Sequence, residues 1–202
     1  MQIGFYFDQT RCTGCGACQV ACKDWHDIPA GPEKWMRILY TEKGQYPDIF
    51  VSYLVSPCHH CAEPVCARIC PPKAIMKRPQ DGIVVVDGQA CLGKEACNVK
   101  CLKACPYDAP QFGPEPDAKM GKCNYCLDRW VEGKLPVCVE ACPTRALDGG
   151  DLESLQTRYG KTTEASGFIR STRTKPAIVF KPKGDNLVKS RHSRIGGNPG
   201  FM

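Results

Sequence analysis

Cys12-Thr13-Gly14-Cys15-Gly16-Ala17-Cys18-Gln19-Val20-Ala21-Cys22 is the stretch whose reading decides the fold. It spells C-x2-C-x2-C-x3-C. That spacing binds an iron–sulfur cube through its first three thiolates and passes the fourth to a different cube. Geometry explains the split. Two residues between thiolates let a tight loop wrap one corner of a cube, and glycines such as Gly14 and Gly16 let that loop lie close to an inorganic core. Three residues between Cys18 and Cys22 make about one helical turn, which carries the last thiolate away from the first cube. These four cysteines commit the chain to at least two clusters and to ligands supplied from elsewhere.

Three more cysteine groups supply them. The second is Cys58-x2-Cys61-x4-Cys66-x3-Cys70, followed by Pro71. The third is Cys91-x5-Cys97-x3-Cys101-x3-Cys105, followed by Pro106. The fourth is Cys123-x2-Cys126-x11-Cys138-x3-Cys142, followed by Pro143. Proline after the last cysteine ends a short helix there. Repetition of this kind argues for duplicated units, each too small to hold a core without metal.

Composition agrees. The chain has 202 residues and 16 cysteines, a density that points to a disulfide scaffold or a metal protein. Disulfide scaffolds are usually short secreted domains. This chain is longer, and it opens Met1-Gln2-Ile3-Gly4-Phe5-Tyr6-Phe7-Asp8 with no basic, apolar or twin-arginine leader. The near-apolar run from Ile49 to Val55 is far too short to span a bilayer. Synthesis in a reducing compartment is therefore expected. The formal charge is +6 with every cysteine neutral. Four oxidised cubes at about −2 each would leave about −2 net, so the basic excess reads as compensation for clusters and not as a nucleic-acid footprint. There is no Walker or Rossmann glycine pattern, no acid/base pair and no nucleophile with a base.

Between the cysteine groups the pattern predicts short elements. A strand is expected over residues 2–8, a helix over 17–25, and two strands over 35–42 and 48–55 joined around Gly44. Residues 74–77 and 83–87 form a hairpin candidate around Asp81-Gly82. A proline-rich loop covers 106–116. A helix is expected over 151–160 and a last strand over 177–181. From Pro182 to Met202 the composition predicts an arm or a disordered tail.

Taken together these features resemble the iron–sulfur (beta) electron-transfer subunits of molybdenum or tungsten bis-pyranopterin oxidoreductases, such as those of dimethyl sulfoxide reductase, polysulfide reductase and pyrogallol transhydroxylase. The motifs that carry the likeness are Arg11-Cys12-Thr13-Gly14-Cys15, Cys22-Lys23-Asp24-Trp25, Cys58-His59-His60-Cys61 with Pro64, Ala104-Cys105-Pro106-Tyr107, Lys122-Cys123, and Ala141-Cys142-Pro143-Thr144-Arg145-Ala146-Leu147. The likeness spans roughly residues 1–181. It implies an α+β fold of two ferredoxin-like dicluster halves related by pseudo-twofold symmetry, with a β insertion and a C-terminal arm. The first half would be 1–34 with 117–150, the second 56–116, the hairpin insertion 35–55, and the C-terminal extension 151–181, with a tail at 182–202.

The resemblance also implies four [4Fe-4S] clusters and their ligands. Cys12, Cys15, Cys18 and Cys142 would hold cluster 1. Cys22, Cys123, Cys126 and Cys138 would hold cluster 2. Cys58, Cys61, Cys66 and Cys105 would hold cluster 3. Cys70, Cys91, Cys97 and Cys101 would hold cluster 4. The clusters would lie in a line, the first facing a molybdenum or tungsten pterin catalytic subunit and the fourth a further redox or membrane subunit. A wire for a hydrogenase or another dehydrogenase is the alternative, as is a non-redox structural iron–sulfur protein. The location implied is cytoplasmic, with membrane association through partners; co-export with a partner to the periplasm stays open.

The third group departs from the family's C-x2-C-x2-C-x3-C-P by an enlarged loop containing Gly93 and Lys94, so an exit partner that is unusual or absent is expected at cluster 4. Zinc is the competing reading of isolated C-x2-C pairs, but three thiolates on one tight loop are unusual for structural zinc. His60 is expected to pack over a cluster and donate a hydrogen bond to sulfur; neither His59 nor His60 is expected to be a ligand, because the cysteine sets are complete. Trp25, Trp35 and Trp130 are expected to keep water off the clusters. Lys23, Lys122 and Arg145, beside ligands, raise cluster potentials or are plain surface residues.

Overall fold

A computed structural model describes residues 1–184. The chain opens with β1 (Ile3–Asp8), buried along its whole length. A loop with the first cysteines leads into α1 (Ala17–Trp25). β2 (Ile38–Gln45) and β3 (Asp48–Val55) follow as an antiparallel hairpin. Next come α2 (Val65–Ile69), the antiparallel pair β4 (Ile75–Lys77) and β5 (Val84–Val86), and α3 (Lys100–Ala104). β6 (Gln111–Phe112) pairs with β7 (Met120–Gly121). Two short helices, α4 (Leu127–Val131) and α5 (Val137–Glu140), precede β8 (Leu147–Asp151), α6 (Leu152–Tyr159) and β9 (Ile178–Lys181).

β1 is the middle strand of a sheet ordered β8-β1-β9, antiparallel to β8 with Ile3 opposite Asp151 and parallel to β9 with Phe5 opposite Ile178. It is buried on both faces because each is covered. Tyr6 meets Leu155 of α6 and Val179 on one face. Ile3, Phe5 and Phe7 meet Tyr125 and the cysteines Cys18, Cys22, Cys123, Cys138 and Cys142 on the other. A second cluster joins Ala74, Ile75, Val84 and Met120 to Cys91 and Cys101. In both, the thiols belong to the core.

The helix expected over 17–25 and the hairpin around Asp81-Gly82 are observed, the latter with Gly82 at φ +73°. The hairpin expected around Gly44 turns later. Its ladder runs on to Gln45 opposite Asp48, so the turn residues are Tyr46 and Pro47, and Gly44 lies inside β2 opposite Ile49. Proline has no N–H for a ladder and suits the turn. β2 also starts at Ile38 and not at residue 35; Met36 is instead fully buried. α6 begins at its Asp151 N-cap, which accepts from Ser154 N–H at 3.0 Å. The tail expected over 182–202 lies outside the described residues beyond Gly184. Its first part is held: Lys183 donates through Nζ to Val51 O at 2.7 Å.

α2, α3 and α5 are the short helices expected to end at the prolines after Cys70, Cys105 and Cys142, whereas β6, β7, β8 and α4 have no counterpart in the sequence reading. Leu147-Asp148-Gly149-Gly150-Asp151 carries no strand propensity. Its glycine is needed, since a Cβ on Gly149 would lie 2.7 Å from Tyr125 Oη, the hydroxyl that donates to Gly4 O at 2.9 Å across β1. Among the described residues no helix is long and apolar enough to cross a membrane.

Leu155 is fully buried beneath the sheet. Leu155→Ala is expected to lower stability by about 2–5 kcal/mol, seen as an earlier denaturation midpoint of the metal-loaded protein while its visible spectrum before the transition stays unchanged.

Candidate metal centres

All sixteen cysteines are free of disulfides. Three apolar hollows are each ringed by four of them. Cys12, Cys15, Cys18 and Cys142 surround one, walled by Phe7 and Leu147. Cys58, Cys61, Cys66 and Cys105 surround another, with His59 and Lys122 in its wall. Cys70, Cys91, Cys97 and Cys101 surround a third, beside Pro71 and Pro72. Cys22, Cys123, Cys126 and Cys138 form a remaining buried group. Burial pushes the Cys138 thiol far up, and the charges of Cys123, Cys126 and Cys22 push it further. Cys22 rises to about 12 through burial and then the charge of Cys126.

Short helices hand thiols from one group to the next. Cys18 and Cys22 are one turn apart on α1, and each joins a different group. Cys66 lies on α2 and Cys70 caps its end; Cys101 lies on α3 and Cys105 caps its end. Cys138 on α5 and Cys142 just beyond repeat the pattern. α1 packs on α5 as α2 packs on α3. Three of the helices are entered through a sharp bend. Gly16, Val99 and Cys126 cap α1, α3 and α4 in the left-handed region, at φ +82°, +44° and +46°. A β-branched valine there is strained, a mark of a site that over-determines its backbone.

The donor set fits an iron–sulfur cube and not a single ion. Thiolates around one zinc must all lie about 2.3 Å from it. Among the described residues no three His, Cys, Asp or Glu side chains gather tightly enough to hold one ion. Four sulfurs around a hollow suit the corners of a larger object. His59 supports this. It is buried, and neither ring nitrogen has a partner, a costly state unless something in the hollow accepts its N–H. Burial holds it neutral by lowering it to about 3, and the sulfur of a cube is such an acceptor. Backbone N–H groups also point at sulfur, from Tyr125 to Cys123 at 3.4 Å and from Ala146 to Cys142 at 3.3 Å. At Cys142 burial raises the thiol, but the Thr144 hydroxyl and three backbone N–H groups outweigh it and bring the thiol below its ordinary value.

The neighbouring residues divide. His60 is fully buried, accepts from Val84 N–H through Nδ1 at 3.0 Å, and places Nε2 3.8 Å from Cys123 Sγ. Lys122 is buried and donates to Val84 O and Cys123 O. Lys23 turns away to Pro29 O and Gly31 O, and Arg145 to Glu140 O. Trp35 and Trp130 pack on the core, as expected of aromatic cover. Trp25 does not: 44% exposed, it donates to Asp128 Oδ2 at 2.9 Å under the Arg129 guanidinium, tying α1 to α4. The enlarged loop is braced. A Cβ on Gly93 would lie 2.7 Å from Asp117 O, and Glu95 N–H donates to Pro116 O at 3.1 Å. His26, missed in the sequence, lies one residue past α1 with Nε2 3.4 Å from Cys126 Sγ. A lone histidine outside any cysteine spacing carries no signal.

Adjacent groups of four thiols, linked by helices that serve two groups each, define a polycluster iron–sulfur protein. The comparisons agree. Residues 49–152 match a family described as a 4Fe-4S dicluster domain, and residues 11–75 match another of the same description. Over 207 residues the protein is 41% identical to the B subunit of the anaerobic dimethyl sulfoxide reductase of Escherichia coli (strain K12), a match that covers 98% of this sequence and 97% of that subunit. The corresponding subunit of Haemophilus influenzae is 38% identical over 208 residues, covering 98% of each. The formate dehydrogenase-O iron-sulfur subunit of E. coli (strain K12) is 33% identical over 171 residues, which are 77% of this sequence and 55% of that protein. The chain therefore belongs to the 4Fe-4S dicluster family of iron–sulfur subunits. It is an electron-transfer subunit of a multi-subunit oxidoreductase and not a catalytic one.

Two glycines of the first loop separate close approach from backbone strain. A Cβ on Gly14 would lie 2.4 Å from the Tyr53 ring, whereas nothing lies within 4 Å of one on Gly16. Gly16→Ala is expected to cost only the left-handed backbone penalty of about 1–2 kcal/mol. Gly14→Ala adds a collision, so it should also lose iron, measured as iron per purified chain and as thermal midpoint.

Proposed function

We propose that this chain conducts electrons along four [4Fe-4S] clusters to or from a molybdenum or tungsten bis-pyranopterin catalytic subunit. The observation that carries the reading is the gathering of sixteen free thiols into four adjacent sets of four. We assign cluster 1 to Cys12, Cys15, Cys18 and Cys142, and cluster 2 to Cys22, Cys123, Cys126 and Cys138. Cluster 3 goes to Cys58, Cys61, Cys66 and Cys105, and cluster 4 to Cys70, Cys91, Cys97 and Cys101. The clusters supply one-electron transfer, and the protein supplies spacing, burial and potential.

The order 1-2-3-4 follows from shared elements. α1 links the first two sets through Cys18 and Cys22. Cys123 feels the charges of both Cys22 and Cys58, which joins the second set to the third. α2 and α3 link the third to the fourth. Two packed helix pairs, α1 with α5 and α2 with α3, support two related halves, 1–34 with 117–150 and 56–116. The separate hairpin of β2 and β3 supports an insertion over 35–55, and α6 with β9 an extension over 151–181. Apolar walls around the sets exclude water, and the buried Lys122 offsets negative charge between the second and third.

Cluster 1 is read as the face toward the catalytic subunit and cluster 4 as the exit. The braced loop at Gly93 changes the outer wall of the exit, so its partner is read as unusual or absent. The similarity to reductase and dehydrogenase subunits supports a catalytic partner.

Metal analysis and potentiometric EPR test the reading. Iron and acid-labile sulfide in equal amounts are expected, with clusters reducible between about −700 and +450 mV. Zinc in place of iron, or clusters that resist reduction, overturns it. Molybdenum or tungsten is expected in the partner that co-purifies; nickel there would favour a hydrogenase wire. Cys142→Ser should remove one EPR-resolved cluster and leave the other three.

A further inference from the structure

We propose that His26 and His60 are paired positioning residues that donate N–H hydrogen bonds to two ligand sulfurs of one cluster, the one held by Cys22, Cys123, Cys126 and Cys138, and so hold its potential up. The inference rests on the cluster assignment proposed above and deepens it. His60 sits between Cys58 and Cys61 and His26 lies outside any cysteine spacing, and neither is needed as a ligand.

His60 is the better defined of the two. The Val84 N–H occupies Nδ1 at 3.0 Å. That nitrogen is therefore the acceptor, and the ring proton resides on Nε2. Nε2 faces Cys123 Sγ at 3.8 Å. The ring cannot swing away. It is fully buried, its backbone sits at φ +40°, and its edge meets Tyr125 with ring centroids 5.6 Å apart. Val84 belongs to β5, so the strand on the far side of the second cysteine group sets the tautomer of a residue that serves the other half of the chain.

His26 approaches the same set at a different sulfur. It follows directly after α1, and its ring packs against Trp35 with centroids 4.8 Å apart. Nε2 lies 3.4 Å from Cys126 Sγ. A metal-bound thiolate has lone pairs and no proton to give, so the nitrogen that faces it carries the hydrogen. Two sulfurs of one set, Cys123 and Cys126, thus each receive an imidazole N–H. Cys123 also receives the Tyr125 backbone N–H at 3.4 Å.

The electrostatic consequence has one sign. Adding an electron makes the cluster more negative, and an N–H directed at a ligand sulfur stabilises the reduced form more than the oxidised form. Removing such a donor lowers the midpoint potential of that cluster alone.

Amide side chains separate this role from simple packing. Asn at position 60 keeps an acceptor where Nδ1 was, tolerates positive φ, and does not reach Cys123. Gln extends an N–H₂ to where Nε2 was. In the iron-loaded chain, potentiometric EPR of His60→Asn is expected to show one of the resolved clusters with a reduced-to-oxidised ratio about tenfold lower at a fixed potential, which is about 59 mV for a one-electron couple. The other three should not move. His60→Gln should return toward the parent value. His26→Asn should lower the same cluster, with His26→Gln restoring it; this pair carries the test if His60→Asn sheds iron. Full iron content with unshifted potentials in both Asn variants overturns the inference while leaving the four-cluster reading intact. A shift in different clusters for the two histidines also overturns it. A parent protein without iron would fail the cluster reading itself.

Discussion

Packing thiols together in a dry interior is the constraint on which the rest of this structure depends. A buried thiolate loses its hydration, and a neighbouring thiolate repels it, so both effects favour the protonated form. The consequence is visible at several of these thiols: burial raises Cys18, Cys61 and Cys66 to about 12, and lifts Cys123 and Cys138 well above the ordinary thiol value. Metal ions reverse that preference, because their charge is the largest in the site and they deprotonate coordinating thiols outright. Folding and metal binding are then one process. The apolar core alone is modest. Its large fully buried side chains cluster around one short sheet, and much of the remaining interior is lined by sulfur.

From this follows the unusual economy of the secondary structure. Helices of four or five residues have no independent stability in water, yet α2, α3, α4 and α5 are all that short. The work of α2, α3 and α5 is to hold two thiols one turn apart and aim them at neighbouring sets, while α4 follows directly on Cys126. That task ties remote segments together: the first loop shares a hollow with Cys142, and β8, immediately after it, returns to pair with β1. The sheet and the metal sites therefore close the same loop of chain, once through hydrogen bonds and once through sulfur.

What can be read from the residues, and what cannot, divides along the same physical line. Cysteine spacing is a local signal. It indicates α1, the grouping into four and the proline-terminated helix ends. The Asp81-Gly82 turn is readable because glycine is required at positive φ. β8 is not, since its two glycines carry no propensity and its place is decided by the Tyr125 hydroxyl above it. Trp25 departs from the expected role as cover for a cluster: its position beside Cys22 suggests burial, but the side chain points to Asp128 on another element. His26 is invisible for a related reason, its sulfur partner lying a hundred residues away at Cys126.

Charge placement carries the reasoning one step further. A net +6 could describe a protein with basic residues scattered over its surface, but the interior shows cations put to specific use. Lys122 is buried with its amine on two carbonyl oxygens, Val84 and Cys123, which bear no net charge. Burying an ammonium against neutral acceptors alone is costly. The missing counter-charge is at hand, because Lys122 pulls down both Cys66 and Cys123, opposing the burial that raises them. Those two thiols belong to different sets. One lysine thus lowers the electrostatic penalty of holding two negative centres side by side, and its position depends on them as much as theirs depends on it. Without thiolate charge on both sides, the interior has no reason to keep this ammonium dry. A buried cation in such a place is therefore an internal sign of anionic metal centres that the spacing of cysteines alone could only suggest.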